Sequence, residues 1–345
     1  MRTKLIFPKR GSALKTLDRY LNTLNISGEH KFFILVDTNT LDHCLATLIC
    51  NVPTLENAEF LELPIGENSK DIAIVQEVWQ ALMESGANRK SVIINLGGGA
   101  ISDVGGFIAG TLFRGIDYIN IPTTLIGMID AAIGGKTAIN LNGIKNPVGT
   151  FHTPIATYIH TPLLETLPQE EMLNGEFELV KTLLLSGYKD WKRAIETDKL
   201  DTLIRHCTEF KAAVVKADYY DLNIRRMLNL GHTFAHALES HSKKGDQPMP
   251  HGKAVGIGML YALYLSSKKL GLSNNTMSYY KSWLSSKTQI PHFSLHDTES
   301  LLEYMRVDKK NSSGLINCVL LKSIGEPVID VPVDENEIRD ALLHA

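Results

Sequence analysis

Val92-Ile93-Ile94-Asn95-Leu96-Gly97-Gly98-Gly99-Ala100-Ile101-Ser102-Asp103 joins a short apolar, β-rich run to three glycines and the start of a helical pattern. Glycines at a strand-to-helix turn let backbone N–H groups approach a pyrophosphate at the positive end of the helix dipole. The spacing is not GxGxxG, and a tight turn needing positive φ accounts for the three glycines equally well. Outward from this stretch, KFFILVD (31–37) and DYINIP (117–122) read as further strands and 71–86 as a helix, an alternation expected of a parallel sheet with crossover helices. Beyond about residue 165 the pattern changes. Segments 196–219, 225–240, 252–271 and 335–344 carry apolar residues at helical spacing, and INCVLL (316–321) is the one clear strand candidate. The stretch from Pro147 to Pro168, with Pro154 and Pro162 inside it, joins the halves. The expected architecture is an α/β N-terminal nucleotide-binding domain (Rossmann-like, parallel sheet) over 1–165 and a mainly α-helical C-terminal domain over 166–345, with a cleft between them as the favoured ligand site.

With 345 residues the chain has apolar material for two cores. A formal charge of -3 exerts no global pull toward nucleic acid or an anionic membrane, so small molecules are the expected partners. The opening MRTKLIFPKRGSALK lacks the sustained apolar run of a secretory signal, and no later segment is apolar enough to span a bilayer; a cytoplasmic protein is expected. Cys44, Cys50, Cys207 and Cys318 are scattered without CxxC spacing, which argues against a disulfide framework and a thiolate zinc site. A bound metal would therefore need His and carboxylate ligands.

A second glycine pair lies in Asp130-Ala131-Ala132-Ile133-Gly134-Gly135-Lys136-Thr137. Ala131 stands where a Walker A loop requires its first Gly, so Lys136 is a phosphate contact candidate without an ATPase reading. Lys145 and Asn146 follow, a point charge and an amide suited to anions and hydroxyls, or equally to a solvated loop. His232 and His236 are four residues apart and share a face if the run is helical, but the Glu of HExxH is missing. His251 opens a long apolar helical pattern, and Glu178 lies in a helical run three residues before Lys181, with which it would also form a plain intrahelical ion pair. Two histidines with one carboxylate suit a catalytic zinc that keeps an open position, although spacing alone does not select this trio.

LGGGAISDVGGFIAGTLFRGIDYINIPTTLIGMIDAAIGGKTAINLNGIKNPVGTFHTP, NGEFELVKT, RRMLNLGHTFAHALES, MPHGKAVGIGM and DKKN occur in this order and at intervals that resemble the 3-dehydroquinate synthases, from about Asp37 to about Pro327. The resemblance implies NAD and zinc, with cobalt able to satisfy the same ligands. It implies metal ligation by Glu178, His232 and His251, with His236 in acid–base and phosphate-contacting work instead of ligation. NAD contacts carry over to Asp37, Asn39, Glu67, Lys70, Gly98, Gly99, Asp103, Thr123, Thr124, Lys145, Thr166 and Asn174. Substrate contacts carry over to Asp130, Lys136, Asn146, Lys181, Lys211, Arg225, Asn229, His236 and Lys309, with Arg114 reaching the substrate phosphate of a partner subunit in a homodimer. Catalytic roles are implied for His236, Asp221, Lys181 and Asp130.

The implied reaction converts 3-deoxy-D-arabino-heptulosonate 7-phosphate to 3-dehydroquinate, in the shikimate pathway to aromatic amino acids, by transient oxidation, phosphate β-elimination, re-reduction, ring opening and intramolecular aldol closure. The chain departs from the family's habit at Asp221, where Glu is common, at Ala131 and Ala132, where Ser is frequent, at Lys253 in place of Glu, and at Phe177 in place of Ala. A sister cyclase acting on sedoheptulose 7-phosphate or glucose 6-phosphate would keep the zinc, the NAD and the phosphate site. Arg225, Lys211 and Lys181 provide cations for a substrate carboxylate that those sugars lack, which favours the synthase. A metal-dependent alcohol dehydrogenase that releases NADH, and a non-catalytic NAD-binding relative, are the readings from other classes.

Overall fold

The computed structural model describes residues 3–7, 13–242, 248–307 and 315–345, so Lys309 lies outside the described residues. The chain divides into two compact units, Met1–Met172 and Leu173–Ala345.

In the first unit the strands are β1 (Lys4–Ile6), β2 (Phe32–Asp37), β3 (Glu59–Leu63), β4 (Val92–Gly97), β5 (Asp117–Pro122), β6 (Lys136–Leu141), β7 (Ile144–Phe151) and β8 (Ala156–Tyr158). Six of them form a parallel sheet in the order β1-β8-β5-β4-β2-β3. The helices are α1 (Ala13–Leu24), α2 (Thr38–Thr40), α3 (Ala46–Asn51), α4 (Ile72–Glu84) and α5 (Gly99–Thr111). Strands β2 and β4 are buried along their whole length, which is why they read as continuous apolar runs instead of alternating ones. Val75, Val78 and Leu82 of α4 and Ile101, Val104 and Ile108 of α5 pack with Phe33, Leu35 and Ile93 in one core. From β2 the chain turns outward to β3, whereas from β4 it proceeds the other way to β5, so the strand order reverses between β2 and β4. In an open α/β sheet, ligands bind outside the carboxyl ends of strands at such a reversal. Asp37 ends β2 and Gly97 ends β4.

Strands β6 and β7 form an antiparallel hairpin where the sequence reading has only a loop around Lys145 and Asn146. Asn142 and Gly143, between the two strands, have φ of 51° and 77°. That is the Asn-Gly pair of a tight hairpin turn, a signal hidden by the polar, glycine-containing strands around it.

A polar chain runs through the apolar sheet. Asn95 Nδ2 donates to Asn120 Oδ1 at 2.9 Å, Asn120 Nδ2 donates to the Ala132 carbonyl at 3.1 Å, and Thr157 Oγ1 donates to the same carbonyl at 3.1 Å. These bonds tie the turn that carries Asp130 to strands β4, β5 and β8.

The second unit contains α6 (Gln169–Ser186), α7 (Trp191–Thr197), α8 (Leu200–Ala217), α9 (His232–Ser242), α10 (His251–Leu270), α11 (Asn274–Lys287), α12 (Leu295–Val307) and α13 (Glu335–His344), with an antiparallel pair, β9 (Ile316–Ser323) and β10 (Glu326–Val333). Strand β10 escapes the sequence reading because Pro327 and Pro332 argue against a strand; it has a single partner, and an edge accommodates residues without an N–H. The helical run expected over 225–240 is broken: Ile224–Asn229 forms a tight 3₁₀ turn, Gly231 adopts φ 79°, and the α-helix starts at His232. Among the described residues no helix is long and apolar enough to cross a membrane.

Asn120→Ala strands the buried Asn95 amide and removes one of two donors to Ala132. We expect a loss of about 1–3 kcal/mol in the first unit's stability, read as a lower midpoint in urea unfolding.

Candidate metal centre and nucleotide-binding turn

Three helices of the second unit bring Glu178 (α6), His232 (first residue of α9) and His251 (first residue of α10) together. One ligand atom from each lies within 4.8 Å of the others. Glu178 Oε1 is 3.7 Å from His232 Nε2 and 3.5 Å from His251 Nε2. Around a tetrahedral zinc with bonds near 2.0–2.2 Å, neighbouring ligand atoms are separated by about 3.3–3.5 Å, so these residues fit such an ion. The ring orientations suit it as well. His232 Nδ1 faces the Leu230 carbonyl at 3.2 Å and His251 Nδ1 faces Glu239 Oε2 at 3.5 Å, which points both Nε2 atoms toward the Glu178 oxygen.

The approach depends on glycines. A Cβ at Gly252 would stand 2.1 Å from the Asn174 carbonyl oxygen on α6, and one at Gly258 would stand 2.3 Å from the Gly231 carbonyl oxygen, just before α9. Helix α10 therefore crosses both neighbours at backbone contact. Asn174 Oδ1 also accepts from Lys253 N at 3.2 Å, which fastens the first turn of α10. Phe177, beside Glu178, packs edge-on to Trp283 with ring centroids 5.8 Å apart.

Lys181 Nζ is 2.6 Å from Glu178 Oε2, so the ion pair expected from spacing coexists with the approach of Oε1 to the two histidines. Burial opposes ionisation of Glu178, but Lys181 and the two histidines outweigh it and hold the carboxyl well below its ordinary range. Burial, then the Lys181 ammonium, push His232 down to about 3. Burial also acts to lower His251, but Glu178 and Glu239 on its two ring nitrogens reverse this and raise it to about 10.

Lys211 on α8 and Arg225 are buried, as is Lys181, an arrangement suited to holding anionic groups. Arg225 leaves a loop shaped by Asp218, whose carboxylate accepts from the N–H groups of Leu222 at 3.1 Å, Asn223 at 2.7 Å and Arg225 at 3.1 Å. Asp221 sits in that loop at φ 59°, and Asn229 closes the 3₁₀ turn that follows. His236 is exposed one turn beyond His232, with ring centroids 5.8 Å apart, and is not part of the three-residue group.

In the first unit, Gly98 caps α5 and Gly99 begins it. A Cβ at Gly98 would lie 2.9 Å from the Thr124 side chain, which follows β5 together with Thr123. Asp37 Oδ1 accepts from Thr40 N at 2.8 Å, and the exposed Asn39 lies in that turn. Lys70 Nζ pairs with Asp103 Oδ2 at 2.8 Å. Asn140 joins two expected contact residues, donating to Glu67 Oε2 at 2.7 Å and accepting from Asn146 N at 3.0 Å. Thr166 bonds the Cys44 thiol, near Asp37. Lys136 and Lys145 are exposed on the hairpin, and Asp130 lies in the turn before it. Arg114 is exposed in a turn where Phe113 and Arg114 have φ of 49° and 68°. Sequence reasoning missed Glu239, Asp218 and Asn140. For Glu239 a signal existed, since it lies seven residues after His232 and so on the same helical face.

The family model described as 3-dehydroquinate synthase N-terminal matches residues 60–174, and that described as 3-dehydroquinate synthase C-terminal matches residues 176–311. The chain is 38% identical over 319 residues to a 3-dehydroquinate synthase of Parabacteroides distasonis, covering 90% of each chain. It is 39% identical over 287 residues to one of Clostridium tetani, covering 80% of this chain and 76% of the relative. Among solved structures, a 2-deoxy-scyllo-inosose synthase complexed with carbaglucose-6-phosphate, NAD+ and Co2+ superposes with TM-score 0.82 at 24% identity, covering 99% of this chain and 96% of the other. A 2-epi-5-epi-valiolone synthase from Streptomyces hygroscopicus subsp. jinggangensis with NAD+ and Zn2+ gives TM-score 0.76 at 24% identity, covering 91% and 89%. At that identity these two show a shared fold.

Gly252→Ala forces α10 away from α6, so we expect weaker zinc binding together with a loss of about 1–3 kcal/mol, measured by metal analysis and denaturant unfolding. In the metal-free protein His251 carries a proton at neutral pH, because its pKa is raised to about 10, and it must lose that proton to bind a cation. Zinc uptake should thus release protons and tighten as the pH rises toward about 10, as calorimetry in buffers of different ionisation enthalpy would show.

Proposed function

We propose that this chain, which belongs to the 3-dehydroquinate synthase family, converts 3-deoxy-D-arabino-heptulosonate 7-phosphate into 3-dehydroquinate and phosphate. The carrying observation is the convergence of Glu178, His232 and His251 with Lys181 against the same carboxylate. When bound, NAD supplies a hydride acceptor that is regenerated within the cycle, and zinc, or cobalt, lowers the proton affinity of the hydroxyl being oxidised.

The chain's own groups do the rest. Residues 1–165 hold the nucleotide, with Gly98 and Gly99 opening the α5 N-terminus to its phosphates and Asp37 at the end of β2. Asn39, Glu67, Lys70, Asp103, Thr123, Thr124, Lys145, Thr166 and Asn174 complete that contact set. Residues 166–345 hold the metal and the sugar acid, with Lys181, Lys211 and Arg225 offering buried cations to its carboxylate and phosphate. Asp130, Lys136, Asn146, Asn229 and Lys309 orient its hydroxyls and phosphate. Asp221 accepts a proton at its carboxylate, and His236 takes up and returns one at its ring. Arg114, on its exposed left-handed turn, reaches the phosphate held by a second copy, so the working form is a homodimer. We further propose a cytoplasmic location, which suits an enzyme that acts on a phosphorylated anionic substrate.

Purified protein with zinc and substoichiometric NAD should release phosphate from 3-deoxy-D-arabino-heptulosonate 7-phosphate and yield 3-dehydroquinate without accumulating NADH. Turnover of sedoheptulose 7-phosphate or glucose 6-phosphate in its place would overturn the assignment.

A further inference from the structure

We propose that Glu239 is a positioning residue of the metal centre: its carboxylate fixes the ring orientation and tautomer of His251 and thereby raises the affinity of the site for its divalent cation. The inference rests on the metal reading above and extends it, because Glu239 lies outside the ligand group.

The arrangement follows from one helix. His232 opens α9, and Glu239 lies two turns further along the same face, so α9 supplies a ligand at its start and a carboxylate at the level of the second histidine. Glu239 is 7% exposed, unlike the exposed His236 between the two positions. A carboxylate buried to that extent is costly without a partner, and a partner is present, since Glu239 Oε2 lies 3.5 Å from His251 Nδ1. The opposite ring nitrogen, Nε2, lies 3.5 Å from Glu178 Oε1. The imidazole is thus held at both ends, and only its Nε2 faces the ligand group. The same stretch of α9 also secures the approach to His251. Ser242 Oγ donates to the Glu239 carbonyl at 2.9 Å and accepts from Met249 N, two residues before His251, at 2.8 Å.

The two histidines differ in what orients them. His232 Nδ1 faces a neutral backbone carbonyl, whereas His251 Nδ1 faces a carboxylate. A carboxylate on the distal nitrogen fixes the tautomer and makes the ligating nitrogen more basic, so His251 is the better-tuned of the two ligands.

The test measures zinc dissociation constants by chelator competition, and Co2+ absorption spectra, for the wild-type chain, Glu239→Gln, Glu239→Ala and Glu239→Asp, with thermal unfolding of each metal-free protein. We expect about 10–100-fold weaker zinc binding in Glu239→Gln and Glu239→Ala, shifted cobalt bands and partial recovery in Glu239→Asp, together with a lower metal-free unfolding temperature in Glu239→Gln and Glu239→Ala, where the protonated His251 loses a carboxylate partner. Unchanged zinc affinity and cobalt spectra overturn the proposal, whatever happens to thermal stability. A wild-type chain that takes up no zinc overturns the metal reading itself, a separate outcome. Should the variants fail to fold, histidine-selective nitrogen NMR of the zinc-loaded wild type decides: a slowly exchanging Nδ1–H on His251 supports the proposal, and a rapidly exchanging one overturns it.

Discussion

Helix α10 touches α6 and α9 at backbone distance, and that approach gathers Glu178, His232 and His251. At Gly252 the helix meets the Asn174 carbonyl of α6, and at Gly258 it meets the Gly231 carbonyl that precedes α9. A Cβ at either position would hold the helices apart, and the ligand atoms of Glu178, His232 and His251 are each fixed to a different one of these three helices. A wider separation would lengthen the 3.7 and 3.5 Å gaps between Glu178 Oε1 and the ring nitrogens of His232 and His251. The interiors of proteins transmit such strain instead of absorbing it.

Charge follows the same geometry. Glu178 divides its two oxygens between Lys181 and the pair of histidines, so one carboxylate carries the ion pair and faces the metal position at the same time. The first unit solves a different problem with the same economy. At the reversal of strand order between β2 and β4, close packing of Gly98 against Thr124 brings the α5 N-terminus to the sheet edge, and Asp37 stands at the end of the neighbouring strand. Both sites are therefore set by backbone approach, with side chains completing them.

Much of this was legible in the chain itself. The buried parallel strands around Val92–Leu96 and Phe32–Val36 announce themselves as uninterrupted apolar runs, and helix α13 begins and ends as its periodicity indicates. What periodicity could not show were features decided by partners far away in sequence. The break between the 3₁₀ turn at Ile224–Asn229 and α9 depends on Gly231 meeting α10, so a helical pattern running through 225–240 gave no hint of it. Individually, His232, His251 and Glu178 had ordinary structural explanations; only the ordered motifs around them singled out the trio, and the structure gathers it. Glu239 escaped because the ring it faces belongs to another helix, although its spacing from His232 put it on the same face, whereas Asp218 and Asn140 act within their own loop and hairpin, whose shapes helical or strand periodicity does not record.

On the proposed reading, three helices clamp one divalent cation between Glu178, His232 and His251. Crystals of the zinc-loaded protein, measured at the zinc absorption edge, test it most directly. We expect a single anomalous peak about 2.0–2.2 Å from Glu178 Oε1 and from Nε2 of both histidines, with His236 outside the coordination sphere. A peak elsewhere, or one coordinated by His236 in place of any of the three, would contradict it.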